Sequence, residues 1–263
     1  LIYNGKVWGL PHFVHTNVVY MNNTILKEAG IDPVGVDMGD WNSLVELGKK
    51  LTVFEGDQMV RLGFDSKIQD GHLWYWAWGL DGEFLSADGR SASFTDPRIV
   101  EALQFGIDSV EAQGGNRARA EFSSTWQWDA QHPFFIGNVA ITLYEDWLMS
   151  MLSRFATDMD FTLKPLMKRG TDEPITMASG NAFVIPQGCK NIDEAWEFVK
   201  FMTGTEGWVI GNEAVKAQAK SAGQLYIPST TANNEANKIV FGNIYEPINP
   251  TIDDAMQVLS KMV

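Results

Sequence analysis

Apolar residues recur along this chain with two different periods. Over 41–51, Trp41, Leu44, Leu47 and Leu51 fall three, three and four apart, the rhythm that puts side chains on one face of an α-helix. Asp40, just ahead of them, is a natural N-cap acceptor. Val100, Leu103, Ile107 and Val110 repeat the rhythm at spacings of three, four and three. Asp96-Pro97 opens that segment as cap and first helical residue, and Gly114-Gly115 closes it. The spacing predicts a helix with those four residues as its buried stripe.

Other segments are short, valine-rich and aromatic, and predict strands: "KVWGLPHF", "NVVYMN", "FFIGNVAITLYEDW", "DFTLKPL" and "NAFVIPQG". The first two are joined without a Gly/Asn turn and predict one bent extended track. Asn22 and Asn23 then lead into a short helix stopped by Gly30. From Gly56 to Gly71 the pattern weakens, predicting loop with a short strand. "WYWAW" at 74–78 predicts a helix, followed by a hairpin turning at Asp88-Gly89. Asn191 and Glu194 resemble a capping box for a helix ending at Gly204, and 234–245 and 251–263 also read as helical. Alternating strands and helices point to α/β layers.

Composition narrows the function classes. The chain has 263 residues, enough for one large or two small domains at about 100–200 residues each. A net charge of −13 argues against nucleic acid, whose phosphates require clustered Lys and Arg. Cys189 is the only cysteine, so neither an internal disulfide nor a cysteine zinc site can be built. The histidines are few and scattered, and His12 and His15, three apart, make no metal site by themselves. No metal and no cofactor is expected. GxSxG, GxxxxGK[ST] and HExxH motifs are all absent. Ten tryptophans are the unusual count, clustered at 74–78 and 126–128, with Trp147 beyond them. Most suit the core, and a minority suit a surface that stacks on a flat ligand.

Taken in order, "YNGKVWGLP", "VVYMNNTILKEAGID", "DWNSLVELGKKLT", "WAWGLDGEFLSADGRSASFTDPRIVEAL", "FFIGNVAITLYEDW" and "GNAFVIPQGCKNIDEAWEFVKFM" resemble the extracellular solute-binding proteins of sugar ABC importers, the maltose-binding-protein-like family. The likeness runs through nearly the whole chain. It implies a two-lobe α/β fold of the type II periplasmic-binding-protein kind, with hinge crossovers and with most of the first lobe missing from this chain. On that pattern 1–12 is a remnant of lobe 1 with the first crossover, 13–163 is lobe 2, 164–223 returns to lobe 1 and 224–263 rejoins lobe 2. It also implies a periplasmic or membrane-anchored extracellular location, a sugar ligand, an ABC permease as partner, and a monomer at full length. A chain that starts on a strand and ends in a helix fits a fragment, whose uncovered apolar faces would favour association.

A sugar offers hydroxyls at its edge and C–H patches on its faces, so its site needs aromatic planes and a few fixed polar groups. The resemblance carries the stacking role to Trp147, after the "GNVAITLYED" strand. Glu145 and Asp146 beside it are acceptors for hydroxyls, or a solvated acidic pair. His15 stands where maltose-binding protein has an acidic sugar contact, with Thr16 next to it; its alternative is a hydrogen-bonded hinge histidine. Asp70, His72 and Trp74 precede "GLDGEF", in a loop from which relatives contact ligand. Ser179, Gly180 and Asn181 lead into a strand where glycine allows close backbone approach, or simply form a turn. Tyr245 replaces an aromatic or arginine contact that relatives place near "YEPINPT". The resemblance makes the chain a binding protein and no enzyme. The alternatives are the same fold with a non-sugar solute, or a glycosidase, which needs two carboxyls at about 5–5.5 or 6.5–9.5 Å.

Overall fold

The computed structural model describes residues 1–175, 177 and 179–262. They group into two compact units, one of Leu1–Thr16, Glu145–Thr157 and Met177–Val263, the other of Asn17–Tyr144 and Asp158–Thr176. These units divide the chain differently from lobe boundaries at 163 and 223. Residues 158–176 stay with the second unit because Leu166–Met167 pairs with Pro174–Ile175 and Trp41 Nε1 donates to Met167 O at 3.1 Å. Residues 224–262 stay with the first unit, where Lys216 Nζ donates to Ile244 O at 2.6 Å and Tyr226 OH to Asn212 Oδ1 at 2.8 Å.

The second unit is built on a five-stranded sheet in the order Val53–Glu55, Gln58–Asp65, Val139–Glu145, Asn17–Asn22, Phe161–Lys164. Gln58–Asp65 and Val139–Glu145 are parallel, and the outer pairs are antiparallel. Gln58–Asp65 is an eight-residue strand inside the sheet, where the sequence pattern predicts mostly loop. Its alternation is lost because a helix covers it closely. A Cβ on Gly63 would lie 1.9 Å from Gly48 O, so the helix Trp41–Leu51 rests its backbone on the strand. The Gln113 side chain fills the edge of that contact, accepting from Phe64 N at 2.7 Å and donating to Phe64 O at 3.0 Å.

Local signals hold where capping is local. Asp40 accepts from Ser43 N at 3.0 Å, Asn22 from Ile25 N at 3.2 Å and Asp96 from Arg98 N at 2.9 Å. The helix Trp41–Leu51 buries Trp41, Leu44 and Leu51 as its spacing predicts. Pro97–Ala112 is a helix too, but its buried face is Ile99, Ala102, Phe105, Gly106 and Ser109. Val100, Leu103 and Ile107 are 53, 44 and 46% exposed, so the predicted stripe faces outward. Small residues win the inner face because neighbours come too close for larger ones; a Cβ on Gly106 would meet the Ile68 side chain at 2.3 Å. Trp76 fills the core between Trp41 and Phe105, at ring distances of 4.9 and 4.5 Å.

In the first unit, the strand Leu10–His15 pairs antiparallel with Ser179–Phe183. A small hairpin, Ile2–Tyr3 with Lys6–Val7, precedes it. The helices Leu148–Phe155, Ile192–Thr203, Thr205–Ser221, Asn234–Ile239 and Pro250–Ser260 complete the unit, with a short π-helical segment at Val240–Ile244. The capping box expected at Asn191 is not formed, since its side chain makes no capping bond. Gly204 ends the helix Ile192–Thr203 as expected, standing as its extended C-cap, and a second helix of 17 residues follows at once.

Candidate functional site

The first unit gathers several of the sequence-predicted residues around one carboxylate. His15 ends the strand Leu10–His15, and its Nδ1 lies 2.8 Å from Asp146 Oδ1. Thr230 Oγ1 donates to Asp146 Oδ2 at 2.7 Å and is also within bonding reach of Val14 O. Asp146 N donates to Thr16 O at 2.8 Å, so three passes of the chain, at 14–16, 146 and 230, meet here. The bond to Asp146 raises the His15 pKa; burial opposes that, and the charges of Asp146 and Glu145 add to the rise. Asp146 is 7% exposed with both oxygens engaged, so it serves to orient His15.

Trp147 follows directly, half-buried, at the start of the helix Leu148–Phe155. Its indole N–H donates to Glu145 Oε2, which fixes the ring plane. Thr16 is buried, with its hydroxyl making no hydrogen bond. Ser179 and Gly180 lie opposite His15 and Val14 in the paired strand. A Cβ on Gly180 would sit 2.1 Å from Phe13 O, so the glycine is explained by strand contact. Asn181 is exposed on that strand. Tyr245 stands apart, donating from its hydroxyl to Asp253 Oδ1 at 2.6 Å, with its pKa raised by burial and by that carboxylate. Asp253 lies in the first turn of the helix Pro250–Ser260, whose N-cap is Asn249, and also accepts from Ile248 N at 2.8 Å.

The second unit holds the remaining three. Asp70 accepts from Lys67 Nζ at 3.2 Å and lies 3.7 Å from Arg119 Nη2. The His72 and Trp74 rings stack at 5.1 Å and 29° at the start of the helix Leu73–Trp78, and both are half-buried. Trp74 Nε1 is buried without a hydrogen-bond partner. Asp70, His72 and Trp74 therefore lie within one short stretch, beside a cluster that sequence reasoning missed.

That cluster joins Asp65, Lys67 and Arg119 with Trp126, Trp128, His132 and Tyr144. Lys67 Nζ is 2.9 Å from Asp65 Oδ2, and Arg119 Nη2 is 3.0 Å from Asp65 Oδ1, all three side chains being buried. Burial alone would push the Asp65 carboxyl up, but the two cations override it and hold its pKa at about 2. The Lys67 ammonium sits 4.9 Å from the Tyr144 ring centre and 5.7 Å from those of Trp126 and Trp128. The paired tryptophans of "WQW" were the only sequence signal for this assembly, whose charged members come from separate segments.

The sequence pattern of the bacterial extracellular solute-binding protein family matches residues 1–207. The chain belongs to that family. Among curated relatives of this solute-binding protein, the arabinooligosaccharide-binding protein of Bacillus subtilis (strain 168) is 25% identical over 222 residues, 77% of this chain and 46% of the relative. A maltooligosaccharide ABC transporter solute-binding lipoprotein of Streptococcus pneumoniae (strain ATCC BAA-255 / R6) is 24% identical over 213 residues, 77% of this chain and 46% of the relative. The chain thus spans about half the length of the curated relatives it matches. CpMnBP1, solved with mannobiose bound, superposes with a TM-score of 0.75 at 21% identity, covering 99% of this chain and 62% of that one. That likeness shows the fold, the α/β type of periplasmic binding proteins.

Proposed function

We propose that this chain is part of the solute-capturing component of an ABC importer, holding a sugar or oligosaccharide in a cleft of the whole protein and handing it unaltered to a membrane permease. The observation that carries the proposal is Trp147: a half-buried indole whose N–H is held by Glu145, one residue along the chain from Asp146, which orients His15 and is itself held by Thr230. A fixed ring beside an oriented donor–acceptor is what a pyranose requires. In this scheme Trp147 stacks on the sugar, His15 meets a hydroxyl, and Asp146 positions His15. In the other unit His72 and Trp74 form an aromatic surface of their own, with Asp70 next to it in the chain. The sugar-binding relatives support the ligand class, and the ABC transporter relative supports the permease. The family's extracellular character supports a periplasmic or membrane-anchored setting.

Among the described residues of this site, the two carboxylates are already engaged. Asp146 spends both oxygens inside the protein, and Glu145 is engaged by the indole it holds. Capture works by differential affinity: a ligand that contacts the closed form more strongly shifts the population towards it. Titration of the intact protein with mannotriose, arabinotriose and maltotriose, followed by tryptophan fluorescence, is expected to saturate for at least one sugar. Trp147→Ala should weaken that binding by about tenfold or more, the equivalent of about 1.4 kcal/mol. Recovery of shortened sugars from the titrated sample, or no saturable change with any of them, would overturn the proposal.

A further inference from the structure

We propose that Trp128 is an additional stacking platform for a neutral sugar unit, mounted on the buried cation of Lys67. The inference rests on the sugar-binding function proposed above and adds a contact that neither the sequence pattern nor the relatives assign.

Three observations meet at this ring. Its position is the first. Tyr144 and Asp65 lie at the carboxyl ends of two neighbouring parallel strands, Val139–Glu145 and Gln58–Asp65, and the carboxyl ends of parallel strands are where open α/β sheets receive ligands. Trp128 packs against Tyr144 there, at 6.1 Å and 34°.

The second is rigidity combined with exposure. Trp128 is 55% exposed, yet it is braced by the His132 ring edge-on at 5.3 Å, by Tyr144, and by the Lys67 ammonium 5.7 Å from its centre. His132 is 2% exposed, and its Nδ1 accepts from Phe134 N at 3.3 Å, so the brace is itself locked. An exposed indole with no partner would be free to turn; this one presents a surface already fixed, which lowers the entropy cost of stacking.

The third is charge. Lys67 is matched by Asp65 and Asp70, and Arg119 by Asp65, so two cations meet two carboxylates. No net positive charge is left to attract an acidic sugar. Burial and the neighbouring Lys67 hold the His132 pKa down at about 4, leaving that ring neutral at physiological pH. The chemistry selected is the C–H face of an uncharged pyranose or furanose.

The test compares intact wild-type protein with Trp128→Ala, Trp128→Phe and Trp128→Leu by calorimetric titration against mannotriose, arabinotriose and maltotriose, with trigalacturonate as the acidic probe. Thermal melts of each variant run alongside. For the neutral sugar that wild type binds, Ala and Leu are expected to weaken affinity about tenfold or more, while Phe stays within about threefold. Leucine keeps apolar bulk without a flat face, so a folded Leu variant still decides the matter if the Ala variant is unstable. Unchanged affinity in a folded Ala or Leu variant would overturn the Trp128 platform while leaving the sugar-binding function standing. Tighter binding of trigalacturonate than of every neutral probe would overturn it on ligand class. Failure of wild type to bind any of the four would remove the sugar-binding function and the platform together.

Discussion

His15 shows how one hydrogen bond can tie a residue to pH. Its bond to Asp146 raises the imidazole pKa above the ordinary 6.5 against the opposing effect of burial. Because the folded value exceeds the unfolded one, the stabilisation is fully present below about pH 6.5 and is lost as pH rises through the raised value. Melting curves of wild type and His15→Gln are therefore expected to differ most at acid to neutral pH and to converge under alkaline conditions. A stability difference that stays constant across that range would show that the His15–Asp146 bond does not titrate. At this scale the sequence was informative about residue type but less so about role. His15 and Asp146 were both singled out as sugar contacts, and the structure sets one to orient the other. Gly180 also has a packing reason to be glycine in the paired strand, and the Tyr245 hydroxyl bonds Asp253.

Among the elements, capped helices were legible because a cap is a contact between neighbours in sequence. Asp40, Asn22 and Asp96 all act where the sequence places them. The strand Gln58–Asp65 was not legible, because its character comes from the helix Trp41–Leu51 packed on it. Gly48 and Gly63 bring the two backbones together, and that contact hides the alternation. The helix Pro97–Ala112 was recognised but turned the wrong way round, since Ala102, Gly106 and Ser109 carry the packing and an apolarity pattern overlooks small residues. Close contact also makes the two glycines unequal. At Gly63 an added Cβ meets backbone at 1.9 Å, a severe overlap, whereas at Gly48 the nearest atoms are Phe64 Cβ at 2.8 Å, itself fixed to the backbone, and the Gln113 amide at 3.1 Å, a milder one. Chemical denaturation is expected to show Gly63→Ala costing about 3 kcal/mol. Gly48→Ala should cost less, because alanine recovers about 1 kcal/mol of helix propensity. An equal loss in both, or none in Gly63→Ala, would refute the close-packing account.

For the molecule as a whole, two features oppose each other. The net charge of −13 keeps copies apart, while the first unit exposes Trp8, Trp196, Phe198 and Phe201 at 61, 44, 55 and 46%. Repulsion is screened by salt and apolar contact is not; the Debye length falls from about 30 Å at 0.01 M to about 8 Å at 0.15 M. The 263-residue chain by itself is therefore expected to be largely monomeric at low salt and to associate as salt rises, at tens of micromolar protein. Light scattering behind size exclusion would measure this, and the Trp196→Ser/Phe198→Ser double variant should suppress it. A single monomer peak at every salt concentration would count against these side chains as an adhesive face. The α/β class and the family were legible at this scale because the order of segments along the chain survives where individual contacts do not. The Lys67 cluster was not, since its two stretches, 65–67 and 119–144, are far apart in sequence and become neighbours only after the sheet has formed.

Lys67 adopts a left-handed backbone, φ 62° and ψ 4°, a conformation that costs a side-chain-bearing residue about 1–2 kcal/mol and glycine nothing. The backbone thus favours one replacement and the surroundings oppose it: glycine would leave Arg119 as the sole cation for both Asp65 and Asp70 and take the ammonium away from the Tyr144 and Trp128 rings. Drift at position 67 is disfavoured in the direction sterics would open, and a change at Asp65 or Asp70 that lowers the negative charge is the one that would ease it.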